Sequence, residues 1–398
     1  MAIGWVDDAA LEWEGKRVFC RVDFNVPLTE NGRILDDSRI VAALPTIRFL
    51  REKGAKIVLA SHLGRPKGKP RPQMSLEPVA VRLHELIDQD IVFAEDCVGD
   101  GVRRLSMELP AGGILMLENL RFYSGEEKND DSFARLLAQT ADAYVDDAFG
   151  AAHRAHASIV GVPEHLRQHA GGMLLRQEVE ALDRLRKNPK RPYVAILGGA
   201  KVSDKISLMV QLLQRVDKII VGGAMANTFL KAKGENIGAS RFEEDKLATA
   251  HNILQKAHTA GVEILLPIDH VVTTEFAASA QGRVAESNQI GESEMSLDIG
   301  PKTRTLFCGA LPNDGTIFWN GPMGVFEWAN FCAGTNAVAE AVAGSHAFTV
   351  AGGGDTIAAL NGLKLLSHIS HVSTGGGASL DFLQGAKLPG LAVLGYEG

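Results

Sequence analysis

Short apolar runs recur along the chain, each followed by a stretch whose apolar positions repeat at helical spacing. In the first half the runs are RVFCRV (17–22), KIVLAS (56–61), DIVFAE (90–95), GILMLE (113–118) and DAYVDD (142–147). In the second half they are YVAILG (193–198), KIIVGG (218–223), VEILLP (262–267), TIFWNG (316–321), FTVAGG (348–353) and HVSTGG (371–376). Most are continuous and not alternating, the pattern of strands buried on both faces of a parallel sheet. The segment SRIVAALPTIRFLREKG (38–54) predicts a helix capped by Ser38 and ended by Gly54. Strand and helix in alternation predict an α/β fold with right-handed crossovers and mainly parallel sheets.

The two sets of runs are separated by GGMLLRQEVEALDRLRKNPKRP (171–192), a charged amphipathic segment bounded by Gly171-Gly172 and Asn188-Pro189. Such a segment reads as a domain connector. The expected division is a first domain over 1–172, a connector helix over 173–192 and a second domain over 193–383.

Composition narrows the class. A chain of 398 residues, 45% apolar and 22% charged, is a folded globular protein of two or three domains. Lys and Arg total 41 against 48 Asp and Glu, a net charge of −7, which argues against a generic nucleic-acid binder. The acidic start MAIGWVDDAALEWEG is not a secretory signal, and no apolar run is long enough to span a membrane. Cys20, Cys97, Cys308 and Cys332 are far apart and read as reduced, buried thiols. Together these point to a cytoplasmic protein.

The 42 glycines are the compositional excess. Three second-half strands run into glycine clusters before a helix: ILGGAKVSDKI (196–206), VAGGGDTIAAL (350–360) and VSTGGGASLDFL (372–383). A glycine turn at a helix start offers free N–H groups and a positive dipole end to phosphate. Neither GxxxxGK[ST] nor GxGxxG is present, so the common P-loop and dinucleotide fingerprints are excluded. Lys201 and Lys205, four apart, share a face if helical and suit a polyphosphate. Asp355 reads equally as a helix N-terminal carboxylate or as a ligand to Mg²⁺.

First-half strands end in cations: Arg21 before Asp23-Phe24-Asn25, Arg39 opening the next helix, Ser61-His62-Leu63-Gly64-Arg65, Glu118-Asn119-Leu120-Arg121, and His153-Arg154-Ala155-His156. Ligands bind beyond the carboxyl ends of parallel strands, so these groups converge there. Arginine binds oxyanions bidentately, which suits a small phosphorylated carboxylate, with Asp23 and Asn25 for hydroxyl groups. The histidines lack an HExxH-type partner for a metal, and no GxSxG elbow supports a hydrolase.

RVDFNVPL (21–28), ASHLGRP (60–66), LENLRFYSGEEKND (117–130), DDAFGAAHRAHAS (146–158), LGGAKVSDKI (197–206), WNGPMGVFE (319–327), GGGDT (352–356) and STGGGAS (373–379) closely resemble, in the same order, the motifs of phosphoglycerate kinases. The resemblance implies two Rossmann-like three-layer αβα domains joined by a connector helix and hinge, with a C-terminal tail over 384–398 packing back on the first. It implies reversible transfer between ATP and 3-phosphoglycerate, giving ADP and 1,3-bisphosphoglycerate, by a monomer that uses Mg²⁺ on the nucleotide. Glycerate contacts then fall on Asp23, Asn25, Arg39, His62, Arg65, Arg121 and Arg154. Nucleotide contacts fall on Gly199, Lys205, Gly300, Asn320, Glu327, Gly353, Gly354, Asp355 and Thr356.

The acceptor is a carboxylate, ionised at pH 7, and needs no general base. Catalysis is then expected from positioning and charge stabilisation. Arg39 and Lys205, with Lys201, are assigned to the phosphoryl in transfer, Asp355 to Mg²⁺, and the amides of Gly375, Gly376 and Gly377 to transition-state charge. A non-catalytic binding protein on this fold would be expected to lack Arg39, Lys205 or Asp355. A dehydrogenase would carry the dinucleotide fingerprint. An interaction scaffold has no specific support.

Overall fold

The structure, a computed structural model, describes residues 3–397, so Met1, Ala2 and Gly398, at the ends of the expected first domain and tail, lie outside the described residues. The chain forms two compact units. One comprises the described part of Met1–Glu180 with that of Gly385–Gly398; the other is Ala181–Gln384.

The strands of the first unit are β1 (Arg17–Val22), β2 (Lys56–Ala60), β3 (Ile91–Phe93), β4 (Ile114–Met116), β5 (Ala143–Asp147) and β6 (Gln168–Gly171). They pair in parallel in the order β3-β4-β2-β1-β5-β6. Every residue of β4 and β5 is buried, as the continuous apolar runs require. The outer strand β3 is shorter than its run, with Val92 exposed. The helix Ser38–Glu52 starts one residue earlier than expected: Asp37 is its cap residue, and Ser38 lies inside and makes no side-chain cap. Gly54 closes it at φ +72°, a left-handed value that glycine alone adopts without strain. Leu44, Ile47 and Leu50 of this helix pack with Val18, Ile57 and Val145 of the sheet.

The second unit holds β7 (Tyr193–Leu197), β8 (Lys218–Val221), β9 (Glu263–Leu265), β10 (Asp269–Thr273), β11 (Arg283–Glu286), β12 (Met295–Ile299), β13 (Thr316–Asn320), β14 (Phe348–Gly352) and β15 (His371–Ser373). Six form a parallel sheet, β15-β14-β13-β7-β8-β9. The other three form a small antiparallel sheet, β11-β10-β12, which the run pattern does not predict. The connector segment forms a helix over Met173–Lys187. The tail carries the helix Pro389–Val393, and the Gly390 N–H donates to the Ala152 carbonyl at 2.9 Å.

Both parallel sheets reverse direction beside their first strand. In the first unit the chain moves outward from β1 to β2 and returns to β5 on the other side. In the second it moves from β7 to β8 and β9, then returns to β13. Each reversal opens a crevice between two adjacent strand ends, where the adjoining loops part in opposite directions. No described helix is long and apolar enough to cross a membrane. Of the cysteines, Cys20 and Cys97 are buried, whereas Cys308 and Cys332 are only partly so; burial raises the Cys20 and Cys97 thiols well above their usual range.

Candidate active site

In the first unit, Asp23 follows β1 and Gly150 follows β5, so both stand at the crevice. A Cβ on Gly150 would lie 2.4 Å from Asp23 Oδ2, so only glycine allows this approach. The same carboxylate oxygen pairs with the Arg39 guanidinium. Asp23 Oδ1 is buried and accepts no hydrogen bond among the described residues, which leaves an acceptor for a ligand hydroxyl.

The loop after β2 is shaped by two asparagines. Asn25 Oδ1 accepts from the Gly64 N–H at 2.8 Å. Buried Asn119 uses its whole capacity: Oδ1 accepts from Leu63 N (3.2 Å) and Arg121 N (3.1 Å), and Nδ2 donates to the Leu63 carbonyl (2.7 Å) and the Met74 carbonyl (2.9 Å). Sequence reasoning passed over Asn119. The sequence signal for it is an amide two residues before an expected ligand arginine. Arg121 is 4% exposed, donates to the Gly64 carbonyl at 2.8 Å, and is drawn down to about 10 by burial and then by Arg154. Arg65 is exposed, and Arg154 is half-buried with its Nε donating to His153 Nε2 at 3.1 Å.

Burial and the neighbouring arginines both act on the histidines of these loops. Burial, then Arg21 and Arg121, holds His62 well below the usual histidine range. Burial and the same arginines push His156 down to about 3. Both rings are therefore neutral at pH 7. The positive charge rests on arginines, and a small dianion with a carboxylate would relieve their mutual repulsion.

In the second unit the crevice lies between the ends of β7 and β13. Gly199 (φ +108°) and Gly321 (φ +105°) turn the chain away from them. Gly198 N donates to Asn320 O at 3.1 Å and Gly199 N to Pro322 O at 3.0 Å, so the two turns are tied together. Lys205 lies across the gap: its amine donates to the Gly198 carbonyl and, at 2.7 Å, to the Asn320 carbonyl. Burial lowers it to about 8, opposed by Asp355 and Asp204. The expected shared helical face of Lys201 and Lys205 does not form, because the helix begins at Ile206, with Lys205 as its cap residue and Lys201 exposed in the preceding loop. The first glycine cluster is thus a loop, not a helix start.

After β14 the chain does pass directly into a helix, Gly354–Gly362, with Gly353 at φ +92°. Asp355 is exposed in its first turn. A Cβ on Gly353 would meet Asn320 Nδ2 at 2.9 Å, and that amide donates to the Gly352 carbonyl at 2.8 Å. The Thr356 hydroxyl is buried and accepts from Gly321 N at 2.7 Å, so this side chain braces the neighbouring turn. Gly300 caps the helix Pro301–Gly309 and is packed against Asp269. Glu327 is exposed in the turn after β13. Gly376 (φ +54°) and Gly377 open a seven-residue helix after β15, and the Gly375 N–H is turned onto Ser373 Oγ at 3.3 Å.

Residues 6–386 match the family model described as phosphoglycerate kinase. The chain is 53% identical to the phosphoglycerate kinase of Anaeromyxobacter dehalogenans over 393 residues, 98% of this chain and 99% of that protein. It is 52% identical to that of Moorella thermoacetica over 384 residues, covering 96% and 97%. Among solved structures, phosphoglycerate kinase from Coxiella burnetii superposes with a TM-score of 0.88 at 42% identity, covering 97% and 98% of the two chains. That from Pyrococcus horikoshii gives 0.86 at 34% identity, covering 98% of each.

Proposed function

Because the chain belongs to the phosphoglycerate kinase family, whose members pass a phosphoryl group reversibly between ATP and the carboxylate of 3-phosphoglycerate in glycolysis, we propose that its first unit holds the glycerate and its second the nucleotide. The reaction class is phosphotransfer to a carboxyl group. Arg39, Arg65, Arg121 and Arg154 take the phosphate and carboxylate of the glycerate. Asp23, Asn25 and His62 fix its hydroxyl and carboxyl oxygens. The turns at Gly199, Gly300, Asn320 and Gly353-Gly354 shape the nucleotide site, with Thr356 supporting them and Glu327 as a further nucleotide contact.

The observation that carries this reading is Lys205, a half-buried amine whose hydrogen bonds, among the described residues, go to two carbonyls at the β7/β13 crevice. Such a group is poised to exchange a carbonyl for a phosphoryl oxygen. With Arg39, and with Lys201 recruited from its loop, it would neutralise charge on the phosphoryl in flight. The amides of Gly376 and Gly377 add to this; Gly375 must first release Ser373. Asp355 is an exposed carboxylate in the first turn of the helix after the glycine turn, an oxygen donor of the kind that would hold Mg²⁺. When bound, Mg²⁺ supplies charge neutralisation on the nucleotide phosphates.

Transfer without a covalent intermediate requires the two substrates to meet, so closure about the 171–192 connector is part of the proposal. A monomeric cytoplasmic enzyme is the corresponding cellular form. Purified protein with 3-phosphoglycerate, MgATP and a coupled reporter of acyl phosphate tests it. Lys205→Ala should lower kcat by about 10²–10³ with little change in the KM for glycerate. Arg65→Ala should chiefly raise that KM. A kcat near wild type in Lys205→Ala would remove the transfer role. Scattering that shows no compaction with both substrates bound would remove closure.

A further inference from the structure

Beneath the first-unit site lies a buried carboxylate that no substrate contact accounts for. Glu126 is fully buried in the short helix Ser124–Glu127. Its Oε2 accepts from Ser158 N at 3.0 Å and its Oε1 from Ser158 Oγ at 2.6 Å. A serine hydroxyl has one proton, and here the carboxylate takes it. The Ser158 oxygen is thereby left as an acceptor, and Arg21 Nε donates to it at 2.8 Å. Arg21 is itself fully buried, anchored also to the Val22 carbonyl, and its Nη2 lies 3.1 Å from His62 Nδ1.

The directions in this chain follow from chemistry. Arginine has no acceptor, so His62 Nδ1 must accept. A neutral ring that accepts at Nδ1 carries its proton on Nε2. The low proton affinity that burial and Arg21 impose on His62 agrees with a neutral ring. His156 Nδ1, at 3.7 Å from Glu126 Oε1, is too far to compete for the carboxylate.

We propose that Glu126 and Ser158 are positioning residues for substrate binding: through Arg21 they fix His62 as the neutral Nε2–H tautomer, so that it offers the glycerate a hydrogen-bond donor. The proposal rests on the reading of the first unit as the glycerate site. Removing Ser158 Oγ or the Glu126 charge releases the Arg21 fork, and His62 then divides between its tautomers. Because the donor serves the bound substrate and the transition state alike, the loss appears in KM and not in kcat.

The test uses the full-length enzyme with ¹⁵N-labelled histidine, the His62 ring being assigned with His62→Asn. Wild type should show Nε2–H. Ser158→Ala should show a mixture and raise the KM for 3-phosphoglycerate about five- to twentyfold, with kcat and the KM for MgATP within twofold. Glu126→Gln keeps the volume and should act in the same direction, so the idea stays testable if Ser158→Ala fails to fold. An unchanged His62 tautomer overturns the proposal. So does an unchanged glycerate KM, or equal losses toward both substrates. Arg65→Ala separates the two readings: if it raises the glycerate KM while the relay variants do not, only the relay fails. If it too leaves KM unchanged, the site reading fails with it.

Discussion

Lys205 shows how burial sets a working charge. An exposed lysine keeps its proton to about pH 10.4, but this one is held near 8 by desolvation. At pH 7 it is still an ammonium, and it is lost as pH rises through 8. The kcat/KM for MgATP, which reports the free enzyme, should therefore fall above pH 8, approaching tenfold per unit. Lys205→Arg should be less active but lack that alkaline limb, since a guanidinium stays charged. A wild-type profile flat to pH 9.5 would refute the assignment. His62 and His156 follow the same physics with the opposite consequence: burial keeps them neutral, and the arginines around them hold the charge.

At the level of elements, Asn119 ties the loop after β2, the turn ending at Met74 and the turn carrying Arg121 into one piece through its four hydrogen bonds. Asn119→Ala would strand buried backbone groups, each costing about 1–3 kcal/mol when unpaired. The expected result is a loss of roughly 3 kcal/mol or more in chemical denaturation, with a raised glycerate KM because Gly64 and Arg121 lose their support. A stability change under 1 kcal/mol would show that the loops hold themselves. This brace also marks the limit of what the sequence makes legible. Apolar runs such as YVAIL and AYVDD announce strands because both faces are buried. β6, with the sequence QHAG, has no apolar run and forms because β5 on one side and the Trp5 segment on the other offer it backbone partners. In the β10–β12 sheet the strand β11 is exposed at both Arg283 and Val284, so its pattern is faint. The glycine clusters and strand-end arginines were visible as chemistry. The Ser38 cap and the Lys201–Lys205 face were not correct, because both turn on a helix start placed one to five residues away.

Across the whole molecule, buried groups shifted in opposite senses set how stability responds to pH. In the second unit the two that move into the range between pH 4 and 7 are His270, pushed down to about 4 by burial, and Asp298, pushed up to about 7 by burial. Both are well bonded: His270 lies between Ser296 Oγ (2.9 Å) and Ser287 Oγ (3.1 Å), and Asp298 accepts from Ile299 N and Gly334 N. Between pH 4 and 6.5 the unfolded chain holds a proton on His270 that the native state lacks, so this group's contribution rises with pH. Over the same range the native state holds a proton on Asp298 that the unfolded chain has lost, so that contribution falls with pH. The two slopes offset each other. Asp298→Asn removes one of them and should make the stability of this unit rise by up to about 1.4 kcal/mol per pH unit between 5 and 6.5. His270→Asn should make it fall instead. Hydrogen exchange of the β13 amides in this window reads the unit directly. If Asp298→Asn left the slope unchanged, the carboxyl would already be ionised in the native state, and its burial would have to be offset by the Ile299 and Gly334 amides alone.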